Sequence, residues 1–178
     1  FGDIDEAINY YKKALKIDPG NYNALNGLGH AYALKGDYEK AIEIFGLAKK
    51  NKPANPSAYN KLGNVYDNKD EIDKALNEYK LAQKVAPKDQ ESYKNMANQK
   101  LKKGDVKSAV TIIEQGIKAA PADGEGYYNL GNLYLRQGKT ANAKENFKKA
   151  VAENPKMGRF HRALGESDPG LYRGEDRK

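Results

Sequence analysis

The 178-residue chain contains no cysteine, which removes disulfides and thiol catalysis and leaves the redox compartment open. Histidine is almost as scarce: only His30 and His161 occur, too far apart in the sequence to be expected as a metal or acid–base pair. No stretch approaches the roughly 18 consecutive apolar residues of a membrane-spanning helix. With 31% charged residues, the composition predicts a soluble all-α protein, and the cytoplasm is its expected location. Familiar site motifs are missing as well. Gly27-Leu28-Gly29 lacks a third glycine and a preceding strand, so it is packing glycine and not a phosphate loop. The spacing of Asp67, Asp70, Glu71 and Asp73 misses a calcium loop, and Pro56 disqualifies Asn55-Pro56-Ser57 as a glycosylation acceptor. No catalytic set, metal site or cofactor is expected, and the chain reads as a non-enzyme.

What the chain has is a period. Pro19, Pro53, Pro87, Pro121 and Pro155 recur every 34 residues. Leu28, Leu62, Met96, Leu130 and Leu164 keep the same step, each followed by Gly29, Gly63, Ala97, Gly131 or Gly165. Tyr32, Tyr66, Lys100 and Tyr134 form the next column. The second half of each unit carries Ala7, Ala41, Ala75, Ala109 and Ala143, then Tyr11, Phe45, Tyr79, Ile113 and Phe147, then Ala14, Ala48, Ala82, Gly116 and Ala150. Small residues beside large ones let two helices approach closely while the large ones fill the groove. Gly36, Gly104 and Gly138, with Asp70 in the same place, mark the turns between helices, where a positive φ is often needed. The prolines stop each second helix.

The Leu-Gly-x-x-Tyr, Ala-x-x-x-Phe and Pro columns at this repeat length resemble the tetratricopeptide (TPR) family. The resemblance covers residues 1–157 and continues more weakly to Gly165. It implies a right-handed superhelical solenoid of antiparallel helix pairs. Residues 1–21 are expected to hold an outer helix at 3–17 whose inner partner is missing. Full units follow at 22–55, 56–89, 90–123 and 124–157, and residues 158–178 form a partial capping helix and a polar tail, with a turn signal at Asp168-Pro169-Gly170. Tyr66 and Tyr134 are expected between helices. The third unit, with Met96, Ala97, Lys100, Ile113 and Gly116 at column positions, is expected to pack more loosely. The chain opens on Phe1 at a turn between helices, so it reads as a fragment or a processed product. The apolar face of residues 3–17 (Ile4, Ala7, Ile8, Tyr11, Ala14, Leu15) is then either exposed or covered by another chain, and a homo-oligomer is one outcome.

Charge and asparagine locate the expected site. The net charge of +7 is weighted toward the C-terminal half. Such a field favours acidic peptides, nucleic acid or anionic lipid. Nucleic acid is disfavoured because no basic stripe interleaved with aromatics is present, and many of the lysines, Lys49, Lys50, Lys52, Lys148 and Lys149 among them, belong to a solvated outer face. In a solenoid of helix pairs the inner helices line the concave surface. The helical period puts Asn23, Asn26 and His30; Asn60, Lys61 and Asn64; Lys94, Asn95 and Asn98; and Tyr128, Asn129 and Asn132 there, with Lys102 and Arg136 further along. Asparagine is a mediocre helix former, and its amide both donates and accepts, which suits the backbone of an extended peptide. Asparagine is also common at these places in the family, so family background competes with that reading.

TPR co-chaperones hold a peptide's C-terminal carboxylate with Lys and Asn one turn apart, Asn on the next inner helix and two basic residues on the third. Lys94 and Asn98, Asn129 and Arg159 match this pattern; Ala163 stands where the second basic residue would be. The resemblance therefore implies a scaffold with a protein or peptide partner, and the basic charge makes an acidic partner one expectation. The other readings are a targeting or regulatory region of a larger enzyme, as in TPR-bearing glycosyltransferases, and a self-assembling scaffold of the kind that coats organelles such as the magnetosome.

Overall fold

Each proline of the 34-residue column stands just beyond the end of a helix. In the computed structural model, which describes residues 2–167, α1 (Gly2–Ile17), α3 (Tyr38–Asn51), α5 (Ile72–Val85), α7 (Val106–Ala119) and α9 (Thr140–Glu153) end shortly before Pro19, Pro53, Pro87, Pro121 and Pro155. Proline has no N–H to continue the ladder and pushes the residue before it out of the helical region. Between these outer helices run the inner ones, α2 (Tyr22–Lys35), α4 (Pro56–Asn68), α6 (Gln90–Lys102), α8 (Glu125–Arg136) and α10 (Gly158–Ser167). Every regular element among the described residues is helical, the short 3-10 turn Pro121–Asp123 included. The Asp168-Pro169-Gly170 signal and the tail after it lie outside the described residues.

Capping residues set the starts. Asn21 accepts the Ala24 N–H at 3.0 Å, Asn55 that of Ser57 at 2.9 Å and Asp105 that of Ser108 at 3.1 Å, so helix-end donors without intrahelical partners are satisfied. The turns inside the pairs need positive φ: 83° at Gly36, 74° at Gly104, 70° at Gly138, and 58° at Asp70, which the left-handed region tolerates better than most side chains. A further positive φ, 77° at Gly124, was not evident from the repeat. There the 3-10 turn after Pro121 shifts the start of α8, and a side chain at Gly124 would meet the Phe160 ring at 2.8 Å.

The helices divide into two compact units that part between Asn95 and Met96, within α6. In the first unit α2 packs on α3 and α4 on α5, with α1 against α2 and α3 against α4. Phe45 and Tyr79 are each 1% exposed. A Cβ at Gly29 would fall 2.8 Å from the Phe45 ring, and one at Gly63 only 2.4 Å from that of Tyr79. The second unit repeats the arrangement: Phe147 is wholly buried, and a Cβ at Gly131 would fall 2.5 Å from its ring. The alanines Ala41, Ala75, Ala109 and Ala143 have no exposed surface, because a larger side chain would hold the two helices apart.

Three expectations are revised. Tyr66 and Tyr134 are half-buried, not buried. They sit near the ends of inner helices, where their rings meet the Lys74 and Lys139 ammonium groups at 5.4 and 5.8 Å, a cation–π contact. The third pair is not loosened at its column residues, since Met96, Ala97, Ala109 and Ile113 are all buried; Ile113 replaces the aromatic ring beside Ala97 in place of glycine, so the volumes exchange. On α1 the apolar face is only partly open: Ile8 is buried in a cluster with Leu28, Ala31 and Tyr32.

Substituting Gly63 or Gly131 by alanine should destabilise by about 1–3 kcal/mol, because the new methyl overlaps a buried ring. Gly46, in mid-α3 with nothing near its would-be Cβ, should instead gain up to about 1 kcal/mol as alanine. Urea denaturation midpoints measured for the three variants check both signs.

Candidate functional site

The inner-helix asparagines divide by environment. In the first unit Asn26 is buried and its Nδ2 donates to the Tyr22 carbonyl of its own helix at 3.0 Å. Asn60 is 1% exposed and donates from Nδ2 to Asp89 Oδ2 at 2.7 Å. The same Asp89 oxygen accepts the Ser92 N–H at 3.1 Å, and Ser92 Oγ donates to the Asp89 carbonyl at 2.8 Å. Asp89 thus caps α6 while Asn60 ties that cap to α4. Asn95, expected to face the groove, is buried, and its Nδ2 lies 3.4 Å from Asn64 Oδ1. These three amides serve the packing first, with an inter-helix partner for Asn60 and Asn95 that lies about 30 positions away in sequence.

Asn64 is different. It is exposed, and its Oδ1 accepts from the Tyr79 hydroxyl at 2.8 Å as well as from Asn95. Both bonds hold the carbonyl end, and the NH₂ end has no partner among the described residues. His30 and Lys94 are exposed and Lys61 half-buried on the same set of inner helices. Tyr79, buried apart from this contact, anchors Asn64 from beneath. Burial pushes its phenol far above the ordinary value, with the Asp67 and Glu91 charges adding to that shift.

In the second unit Asn98, Asn129 and Asn132 are half-buried and Arg136 is exposed. The side chains of Asn129 and Asn132 make no hydrogen bond among the described residues. Tyr128 stacks between Phe147 and Phe160, with ring centroids at 5.9 and 5.2 Å. The Arg159 guanidinium lies 5.5 Å over the Tyr128 ring and pairs with Glu125. Tyr128 and Arg159 are therefore brought together, but Arg159 already has a carboxylate. Of the carboxylate-clamp residues, Lys94 belongs to the first unit, and Asn98, Asn129 and Arg159 to the second.

Residue spacing placed Tyr79 in a packing column without its bond to Asn64, and it did not find Asp89 or Glu125, the other partners that decide which groups stay available. Their contacts cross between helices, and the one usable signal was positional, since Asp89 directly precedes an inner helix. Among the described residues no cluster of three His, Asp or Glu side chains could hold a metal ion, and no helix is long and apolar enough to cross a membrane.

Paired helices meeting at glycine and alanine, repeated at a fixed step and carrying polar side chains on the inner members, define a helical-repeat interaction scaffold. The chain belongs to the tetratricopeptide repeat family: models of the repeat match residues 1–64, 56–89 and 124–157. That family is one of protein-interaction scaffolds and is generally non-enzymatic. No curated protein sequence matches the chain. Among solved structures it is similar to MamA, with 28% identity over 89% of this chain and 92% of that one and a TM-score of 0.61. It is also similar to a thermophilic TPR protein of Thermus thermophilus, with 21% identity, a TM-score of 0.70, and 93% and 91% of the two chains covered. A third relative is YrrB, described as a TPR protein with an unusual peptide-binding site, with 23% identity, 91% and 84% coverage and a TM-score of 0.52. Because 397 chains of known structure match, the likeness identifies a fold and no single partner.

Replacing Asn60 by alanine should cost about 1–3 kcal/mol, since the Asp89 carboxylate loses a buried donor, whereas Asn132→Ala should leave stability within about 0.5 kcal/mol; thermal melts separate the two. The Tyr79 phenol gives an alkaline counterpart. Its folded pKa is raised, so the unfolded chain releases this proton first; the stabilisation is whole below about pH 10 and falls as pH rises beyond it. Tyr79→Phe should be less stable than wild type by about 1 kcal/mol at neutral pH, and urea melts at pH 7 and above pH 10 should show that gap closing.

Proposed function

We propose that the chain is a scaffold that binds extended peptide segments along the exposed polar faces of its inner helices. The observation that carries this reading is Asn64. Its side chain is fixed at the carbonyl end by Tyr79 and Asn95 while its amide NH₂ faces outward without a partner among the described residues. A donor held in place before binding loses little rotamer freedom when it meets a peptide carbonyl. His30, Lys61 and Lys94 extend that surface in the first unit, and Asn98, Asn129, Asn132, Arg136 and the Tyr128–Arg159 stack offer a second one. Asn26, Asn60 and Asn95 support these faces from beneath and are not contacts in this reading. Acidic segments suit the lysines and arginines, with a strength that falls as salt screens the charges. The peptide-binding site named for YrrB is in keeping with this use of the fold. A C-terminal carboxylate clamp is a weaker version, because Arg159 would have to give up Glu125.

A random linear peptide library selected on the immobilised protein tests the reading. Selected peptides should bind Asn64→Ala about tenfold more weakly, the loss of roughly one well-placed hydrogen bond, with helicity unchanged. Asn129→Ala combined with Asn132→Ala should have a similar effect on peptides that use the second unit. Peptides that bind all of these variants as they bind wild type would move the site to the outer helices.

A further inference from the structure

A glycine in the middle of a helix weakens it against alanine unless something uses the space of the missing side chain. At Gly29, Gly63 and Gly131 an aromatic ring of the same chain uses it. Gly46, in mid-α3, has no such neighbour: nothing lies within 4 Å of the place its Cβ would take. The next residue, Leu47, is 44% exposed. One turn before this pair stands Glu43 and one turn after it Lys50, both exposed, so the four residues share one outward stripe of the helix. Neither Glu43 nor Lys50 enters an ion pair among the described residues, and Lys40, one turn before Glu43, is held by Asp37.

We propose that this outer face of α3 is a docking surface for a second copy of the chain, the two α3 helices crossing antiparallel about a two-fold axis. The stripe is complementary to itself read backwards. Glu43 and Lys50 are equally far from the midpoint between Gly46 and Leu47. An antiparallel crossing at that midpoint sets Leu47 of each copy over Gly46 of the other, and Glu43 of each opposite Lys50 of the other. A knob meets a space and an acid meets a base, each of them twice. The glycine lets the helix axes approach toward the short end of the roughly 8–10 Å range of packed helices. On the next outer helix, α5, the same places hold Asn77, Lys80, Leu81 and Lys84; there the acid is missing and a lysine fills the position of the glycine. Because the same patch serves on both copies, the contact closes at a dimer. A single helix crossing is smaller than the roughly 1,200–2,000 Å² of a stable interface, so the dimer is a weak one. It uses no residue of the inner helices and is independent of the peptide-binding reading.

Sedimentation equilibrium of the 178-residue chain, over a series from micromolar to near-millimolar, should show a mass that rises toward the dimer and stops there. Gly46→Gln fills the space with a better helix former. This variant, Glu43→Lys and Lys50→Glu should each need at least about tenfold more protein to associate, with helicity by circular dichroism at least that of wild type. The decisive arms restore the charges. Glu43→Lys and Lys50→Glu should associate when mixed, because every facing pair in the mixed dimer again joins acid to base. The chain carrying both substitutions should dimerise as wild type does. A wild type that stays monomeric would leave the face to another partner or to solvent and overturn the proposal. A mass that passes the dimer, single variants that associate as wild type does, or a mixture that stays monomeric would overturn it equally.

Discussion

The rest of the structure depends on how closely two helices approach at a glycine. At Gly63 the Tyr79 ring occupies the space a Cβ would need, and Gly131 gives the same room to Phe147. Removing one methyl from the inner helix lets a whole aromatic side chain be buried from the outer one, a gain far larger than the helix propensity that glycine forfeits. The alanines on the outer helix keep the remaining spacing small. Because each pair closes in this way, its outer surfaces are available to neighbours, and the repeat grows by stacking. The period in the sequence is thus the period of a packing solution.

Polar groups then tie one pair to the next within a unit. Lys35 reaches Asp5 at 2.6 Å and Lys69 reaches Glu39, in both cases 30 positions away. Exposed pairs of this sort contribute about 0–1 kcal/mol each, so they set register more than stability. The bond from buried Asn60 to half-buried Asp89 counts for more, since breaking it takes from the carboxylate a donor that water does not freely replace. It also joins two tasks in one residue, for Asp89 starts α6 and holds α4. Tyr79 has a similar double part, filling the space at Gly63 and orienting Asn64.

A scaffold of this design separates its surfaces by role. The seams between helices hold the fold, and the exposed parts of the inner helices carry polar groups. Asparagine appears on both, so residue type alone does not sort it.

The sequence by itself determined the helical pairs, their step, the turns at Gly36, Asp70, Gly104 and Gly138 and the proline stops, because these follow from backbone rules and from residues a few positions apart. The alternation of small and large side chains also placed Phe45, Tyr79 and Phe147 in the interior. Only the tertiary structure decided which of the inner-helix asparagines are available. Asn60 and Asn64 lie one helical turn apart on α4 with the same chemistry, yet one is consumed by Asp89 and the other is oriented outward by Tyr79. Helical periodicity assigns a face, but hydrogen-bond partners some 15 to 31 positions away assign its use. The same holds for Arg159, basic by sequence and neutralised by Glu125 in the fold, and for Gly124, whose positive φ arises where a 3-10 turn meets the Phe160 ring. Local sequence carries no term for contacts between helices, and those contacts divide the buried, bonded side chains from the exposed ones.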